Sequence, residues 1–136
     1  MKNHYLTKAI LLVCCSLILV SATNAANRFW VAAAASNWNN TANWSALSGG
    51  PGGASVPGAA DAAIFNNNGL GNCTVDVAVT LTSINVNATY TGTIIQNANP
   101  ITTSGAATFA GGIFTGGSAN ITVTGVFTIS GTVFTS

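Results

Sequence analysis

The sequence predicts an all-β fold: a right-handed β-solenoid (β-helix) of about 20-residue coils with a Trp-rich N-terminal cap. Three observations predict it. Ile101–Gly116 lies over Ile121–Ser136 without a gap, with Ile101/Ile121, Thr102/Thr122, Gly105/Gly125, Thr108/Thr128, Gly111/Gly131, Phe114/Phe134 and Thr115/Thr135 identical. The repeat is rich in Thr, Val, Ile and Gly and has no helical periodicity, as one coil of a solenoid should. Within each copy, apolar and polar residues alternate in short runs separated by glycine, the period of two that gives a strand one buried face.

Residues 1–25 read as a secretory signal peptide. Lys2 and Lys8 make a positive start, and Ala9–Val20 is an apolar run broken by Cys14, Cys15 and Ser16. Thr23-Asn24-Ala25 offers cleavage after Ala25, with Val20-Ser21-Ala22 as a second option. About a dozen apolar residues fall short of the roughly 20 needed to span a bilayer as a helix. Neither Val13 before Cys14 nor Cys14 before Cys15 is the small residue that lipid attachment wants. The expectation is a secreted or outer-surface protein with no membrane span after signal cleavage.

Cleavage changes the composition. Lys2, Lys8, His4, Cys14 and Cys15 depart, leaving Arg28, Asp61 and Asp76 as the only charged side chains and Cys73 as the only cysteine. Asn, Thr, Ser and Gly must solvate the surface. A nucleic-acid partner is excluded, because it needs clustered Lys and Arg to displace counterions. A disulfide framework is excluded with one cysteine. Cys73 reads either as a buried, apolar-like thiol in a strand or as half of an intermolecular disulfide.

The remaining chain divides into a Trp-rich cap with a Gly/Pro loop, residues 26–66, and solenoid coils, residues 67–136. The cap carries Phe29, Trp30, Trp38 and Trp44, then Ser48-Gly49-Gly50-Pro51-Gly52-Gly53 and Val56-Pro57-Gly58. Thr74–Leu81 alternates, which places Val75, Val77, Val79 and Leu81 on one face. Ser83–Pro100 is a weaker first copy of the coil, with Thr91-Gly92-Thr93 where Gly111-Gly112-Ile113 falls one coil later. Gly105, Gly111, Gly125 and Gly131 mark corners at which the chain bends. Stacking should bury Ile101 on Ile121, Phe109 on Ile129 and Phe114 near Phe134, each worth about 1.5–3 kcal/mol when fully buried. The last coil is cut short at Ser136, so the expectation is either a fragment of a longer protein or an open end that serves as a docking surface.

Arg28-Phe29-Trp30-Val31, Ser36-Asn37-Trp38, Ala42-Asn43-Trp44-Ser45, Ser48-Gly49-Gly50, Val56-Pro57-Gly58, Asp61 and Ile64-Phe65 resemble the mature N-terminus of large secreted bacterial repeat proteins. Tyr90-Thr91-Gly92-Thr93-Ile94 and Gly125-Val126-Phe127-Thr128-Ile129-Ser130-Gly131 are similar to the coils of those proteins. The type is that of β-solenoid surface proteins with autotransporter-associated β-strand repeats, and of adhesin-like proteins. The resemblance implies a β-solenoid surface protein, usually far longer than this chain and carrying a C-terminal sorting or barrel domain.

Catalysis is not expected. Sugar hydrolysis typically uses two carboxylates at a set separation, and the chain offers only Asp61, which suits a turn that accepts backbone hydrogen bonds, and Asp76, on the Thr side of an alternating run. With no His after cleavage, a Ser/His or Cys/His pair and a zinc site both fail, and no cofactor or metal is expected. Trp30, Trp38 and Trp44 have two readings: indoles that stack on glycan rings, or a hydrophobic plug over the first coil with the indole N–H groups bonded to carbonyls. The Thr pairs should form rows on outer faces, either as ordinary strand surface or as a water-ordering array of the ice-binding kind. Five Asn-x-Ser/Thr matches, such as Asn39-Asn40-Thr41, arise by chance in so Asn- and Thr-rich a chain.

The functional expectation is a non-enzymatic extracellular structural or adhesin-like module. Its alternatives are a carbohydrate-binding module, or the non-catalytic start of a polysaccharide-active β-helix protein, and a self-assembling filament subunit. The expected partners are a cell-surface or matrix polysaccharide, or a second copy through the open C-terminal coil.

Overall fold

The computed structural model describes residues 25–136; the expected signal peptide, save Ala25, lies outside the described residues. The chain runs through β1 (Asn27–Trp30), β2 (Ser36–Asn37), a 3-10 turn (Thr41–Asn43), β3 (Trp44–Ser45), β4 (Ala62–Phe65), β5 (Cys73–Thr74), β6 (Val79–Leu81) and β7 (Ser83–Val86). It continues through β8 (Thr93–Ile95), β9 (Ile101–Thr103), β10 (Ala107–Phe109), β11 (Ile113–Thr115), β12 (Ile121–Val123), β13 (Phe127–Ile129) and β14 (Val133–Thr135). Strands this short cannot bury a face alone, so each gains its partners from the turn before and the turn after.

These strands form a β-solenoid of about four turns of about 21 residues. Three sheets run along it, ordered β13-β10-β7-β4-β1-β3, β14-β11-β8-β5-β2 and β12-β9-β6. Every neighbouring pair is parallel except β1 with β3. The predicted stacking pairs are present: Ile101 opposite Ile121, Phe109 opposite Ile129 and Phe114 opposite Phe134. The weaker copy also takes its expected place, since Thr93 pairs with Ile113 and Ile94 with Phe114.

Inward-facing side chains stack in rows along the core. One inward row runs Trp30, Phe65, Val86, Phe109 and Ile129, with Phe65 opposite Val86 and Val86 opposite Phe109. A second runs Cys73, Ile94, Phe114 and Phe134. In the third sheet Leu81, Thr103 and Val123 share a row. Thr103 is fully buried there, and its hydroxyl donates to the Gly105 carbonyl at 3.1 Å. A core threonine is tolerated because its one polar atom is satisfied locally.

Two local expectations change. The alternating run Thr74–Leu81 is not one strand: it ends at Thr74, turns through Asp76–Ala78 and resumes at Val79 in a different sheet. Val75, Val79 and Leu81 are nevertheless all buried and Val77 is half-buried, so the alternation survives the corner. The corner glycines are used for closeness rather than for unusual dihedrals. Gly111 and Gly125 do not have positive φ, but a Cβ on Gly125 would stand 2.6 Å from the Gly105 carbonyl carbon one turn below. Backbone packs directly on backbone at this corner, which only glycine permits.

The Trp-rich segment contributes strands of its own. β1 and β2 pair in parallel with β4 and β5, so two ladders run on into residues 26–66. Beyond β1, β3 turns back antiparallel, with Trp30 opposite Trp44. The Gly/Pro loop then covers the outer side of β3: the Ala54 N–H donates to the Trp44 carbonyl and the Gly53 N–H to the Thr41 carbonyl, each at 3.0 Å. The first turn therefore ends in a closed edge.

Candidate functional site

The three tryptophans come together and point inward. Trp30, Trp38 and Trp44 are at most 1 % exposed. Trp38 and Trp44 meet edge to face at 4.8 Å, and all three pack on Phe65 within 6 Å. The Trp30 indole N–H donates to the Gly71 carbonyl at 2.9 Å, and that of Trp44 to the Trp38 carbonyl at 2.8 Å. Glycan contact through Trp30, Trp38 and Trp44 is therefore corrected. Stacking on a sugar needs an open ring face, and the cap uses both faces of these rings as core.

The carboxylates stand apart, each serving the backbone. Asp61 accepts the Ala26 N–H on Oδ1 at 3.2 Å and the Gly58 N–H on Oδ2 at 2.9 Å. Asp76 accepts the Asn39 N–H at 2.9 Å, which pins the first turn to the second. The turn role expected of Asp61 is the one it plays; its reach to Ala26, 35 residues away, had no signal in the sequence.

Cys73 is a buried free thiol in β5. Burial, with a smaller contribution from the Asp76 charge, pushes its pKa well above the ordinary value. A thiol so held is neither nucleophile nor open to a partner cysteine. Next to it, burial first and Cys73 second raise the Tyr90 phenol, which donates to the Gly71 carbonyl at 3.0 Å. Among the described residues no three His, Cys, Asp or Glu side chains gather as metal ligands.

Two surfaces remain. On the outer faces the Thr pairs are in register: Thr102 with Thr122, Thr108 with Thr128 and Thr115 with Thr135, the last pair hydrogen-bonded hydroxyl to hydroxyl at 3.0 Å. Thr80 extends the first pair to a row of three. Its alternation with Val79 and Leu81 was the available signal. The second surface is the last turn, where β12, β13 and β14 each have a neighbour on one side only. Phe127, Ile129 and Phe134 are 48 %, 51 % and 39 % exposed. With Ile121 and Val123 they line an open apolar recess of about 440 Å³.

No protein-family model matches the chain, and neither a curated protein nor a solved structure is significantly similar to it.

Proposed function

We propose that this chain is a non-enzymatic extracellular scaffold, a rigid adhesin-like surface module of the type built from autotransporter-associated β-strand repeats. The observation that supports this reading is the continuity of its ladders: two run in register from the first turn to the last, and a third joins them from β6 onward. From β6 onward neighbouring turns are tied by backbone hydrogen bonds in three directions around the coil, for example Gln96 N–H to Thr115 O, Ala107 N–H to Val126 O and Ile101 N–H to Asn120 O. A stack braced on three sides resists bending and holds its outer rows at a fixed spacing of about 4.8 Å. The working surface on this reading is the set of repeated Thr faces, not a pocket.

The test has two parts. Antibody labelling and protease shaving of intact cells should find the chain outside, without residues 1–25. Small-angle X-ray scattering should give the maximum dimension of a rigid stack. Retention in the cytoplasm with an intact N-terminus would overturn the reading.

Self-association is the second reading, and the exposed Phe127, Ile129 and Phe134 favour it. Filaments need two open ends, whereas β3 and the Gly/Pro loop cover the β1 edge of the first turn and leave the last turn the more open of the two. Two copies meeting through their last turns form a twofold, self-limiting contact. On this second reading the product is a dimer.

A further inference from the structure

We infer that cleavage after Ala25 makes Asp61 the ion-pair partner of the new chain terminus, so that processing locks the first strand onto the stack. This rests on the secretion reading above.

The cleavage motif and the structure meet at one bond. Thr23-Asn24-Ala25 places the scissile peptide between Ala25 and Ala26. Ala25 is exposed, and Ala26 is already part of the fold. The Ala62 N–H donates to the Ala26 carbonyl at 2.9 Å, which sets the position of Ala26 by the β1–β4 ladder and not by what precedes it. Its nitrogen is then 3.2 Å from Asp61 Oδ1. The carboxylate is held in place independently of Ala26. Gly58 N–H binds its other oxygen at 2.9 Å, the Asp61 N–H binds the Gly58 carbonyl at 2.8 Å, and Thr82 N–H binds the Asp61 carbonyl at 2.9 Å.

Hydrolysis changes what Asp61 faces. Water adds across the Ala25–Ala26 peptide bond, the departing peptide keeps the carboxylate, and the Ala26 nitrogen becomes an amine that takes up a proton. In the precursor Asp61 accepts from a neutral amide. In the mature chain it accepts from an ammonium, a charge-assisted and stronger bond. The other ionisable groups are engaged elsewhere: Arg28 Nε donates to Ser55 and its Nη1 to the Asn27 carbonyl, Asp76 binds Asn39, and Cys73 and Tyr90 lie in the core. Cleavage after Ala22 would leave Thr23-Asn24-Ala25 ahead of this position and carry the charge away from Asp61.

Residues 26–136 contain no Lys, so in a chain of these residues the α-amine is the sole amine and can be titrated and acetylated selectively. The experiment exports the full chain, reads its N-terminus by mass spectrometry, and follows the α-amine by its pH-dependent acylation rate in the native chain and in Asp61→Asn. The expected terminus is Ala26. Its amine should titrate at least about half a pH unit above the ordinary value of about 7.7–8.0, a roughly threefold gain in proton affinity that D61N abolishes. A raised amine pKa stabilises the fold below about pH 8, and that contribution is lost as the pH rises through the folded-state value. N-acetylation should accordingly lower Tm in the native chain and leave it unchanged in D61N.

A terminus at Thr23 on an exported chain overturns this inference and leaves secretion standing; a chain that keeps residues 1–25 overturns both. Equal amine titration in the two chains also overturns it. Should D61N fail to fold, the free and acetylated native chains decide: equal Tm values refute the ion pair.

Discussion

Trp30 and Trp44 face each other across an antiparallel pair, ring centroids 5.2 Å apart and planes at 71°, and so seal the aromatic row at the first turn. The edge-to-face geometry suits the ring quadrupoles, and the same two residues supply the two indole N–H bonds described above. The end of the stack is thus closed by side chains that could have served as a sugar platform had they turned outward.

Replacing Trp44 by Ala removes a fully buried ring that contacts Trp30, Trp38 and Phe65. A cost of about 3–5 kcal/mol is expected, a large share of the roughly 5–15 kcal/mol that holds a typical domain. Urea unfolding followed by circular dichroism measures it. A midpoint unchanged from the native chain would show that the cap contributes nothing to the stack.

Gly111 separates close packing from bending. A Cβ there would overlap the Asn87 carbonyl oxygen and stand 2.9 Å from Ala88 Cα. Gly111→Ala should cost about 1–3 kcal/mol by overpacking. Gly58→Ala is the control, since the nearest atom to its Cβ would be Asp61 Oδ2 at 3.8 Å; its midpoint should move by less than about 0.5 kcal/mol. Equal effects at both positions would refute the backbone-on-backbone account of the corners.

Cys73 should resist alkylation by iodoacetamide in the folded chain and react once urea has unfolded it. Its raised pKa has a second consequence. The folded state holds the thiol proton more tightly than the unfolded state, so the stability this provides is complete below the unfolded-state value of about 8.5 and declines as the pH rises beyond it. Cys73→Ala should flatten that decline while costing stability through the lost core contacts. Thermal melts between neutral and alkaline pH would show it; an identical decline in the variant would assign the effect to another group.

Ile129 tests the open end. It is 51 % exposed and occupies the last position of an inward row. Ile129→Lys should change stability by less than about 1 kcal/mol, because the long stem can lie on the apolar recess with its charge in water. If copies associate through their last turns, the same change should abolish the dimer seen by sedimentation velocity. Association that persists in Ile129→Lys would place the contact elsewhere.

The repeat alone determined the β-solenoid, its corners, and the pairing of Ile101 with Ile121, Phe109 with Ile129 and Thr115 with Thr135. Aligning a coil with its own copy already states which side chains will stack, because neighbouring turns see nearly the same surroundings. Tertiary structure decided what has no copy to align with. The inward turn of Trp30, Trp38 and Trp44 follows from β3 and the Gly/Pro loop folding back over the first turn, since an aromatic side chain carries no mark of which face will be covered. The break of Thr74–Leu81 between two sheets and the meeting of Ala26 with Asp61 have the same cause. Such contacts join dissimilar segments, and their geometry exists only once the coils have closed.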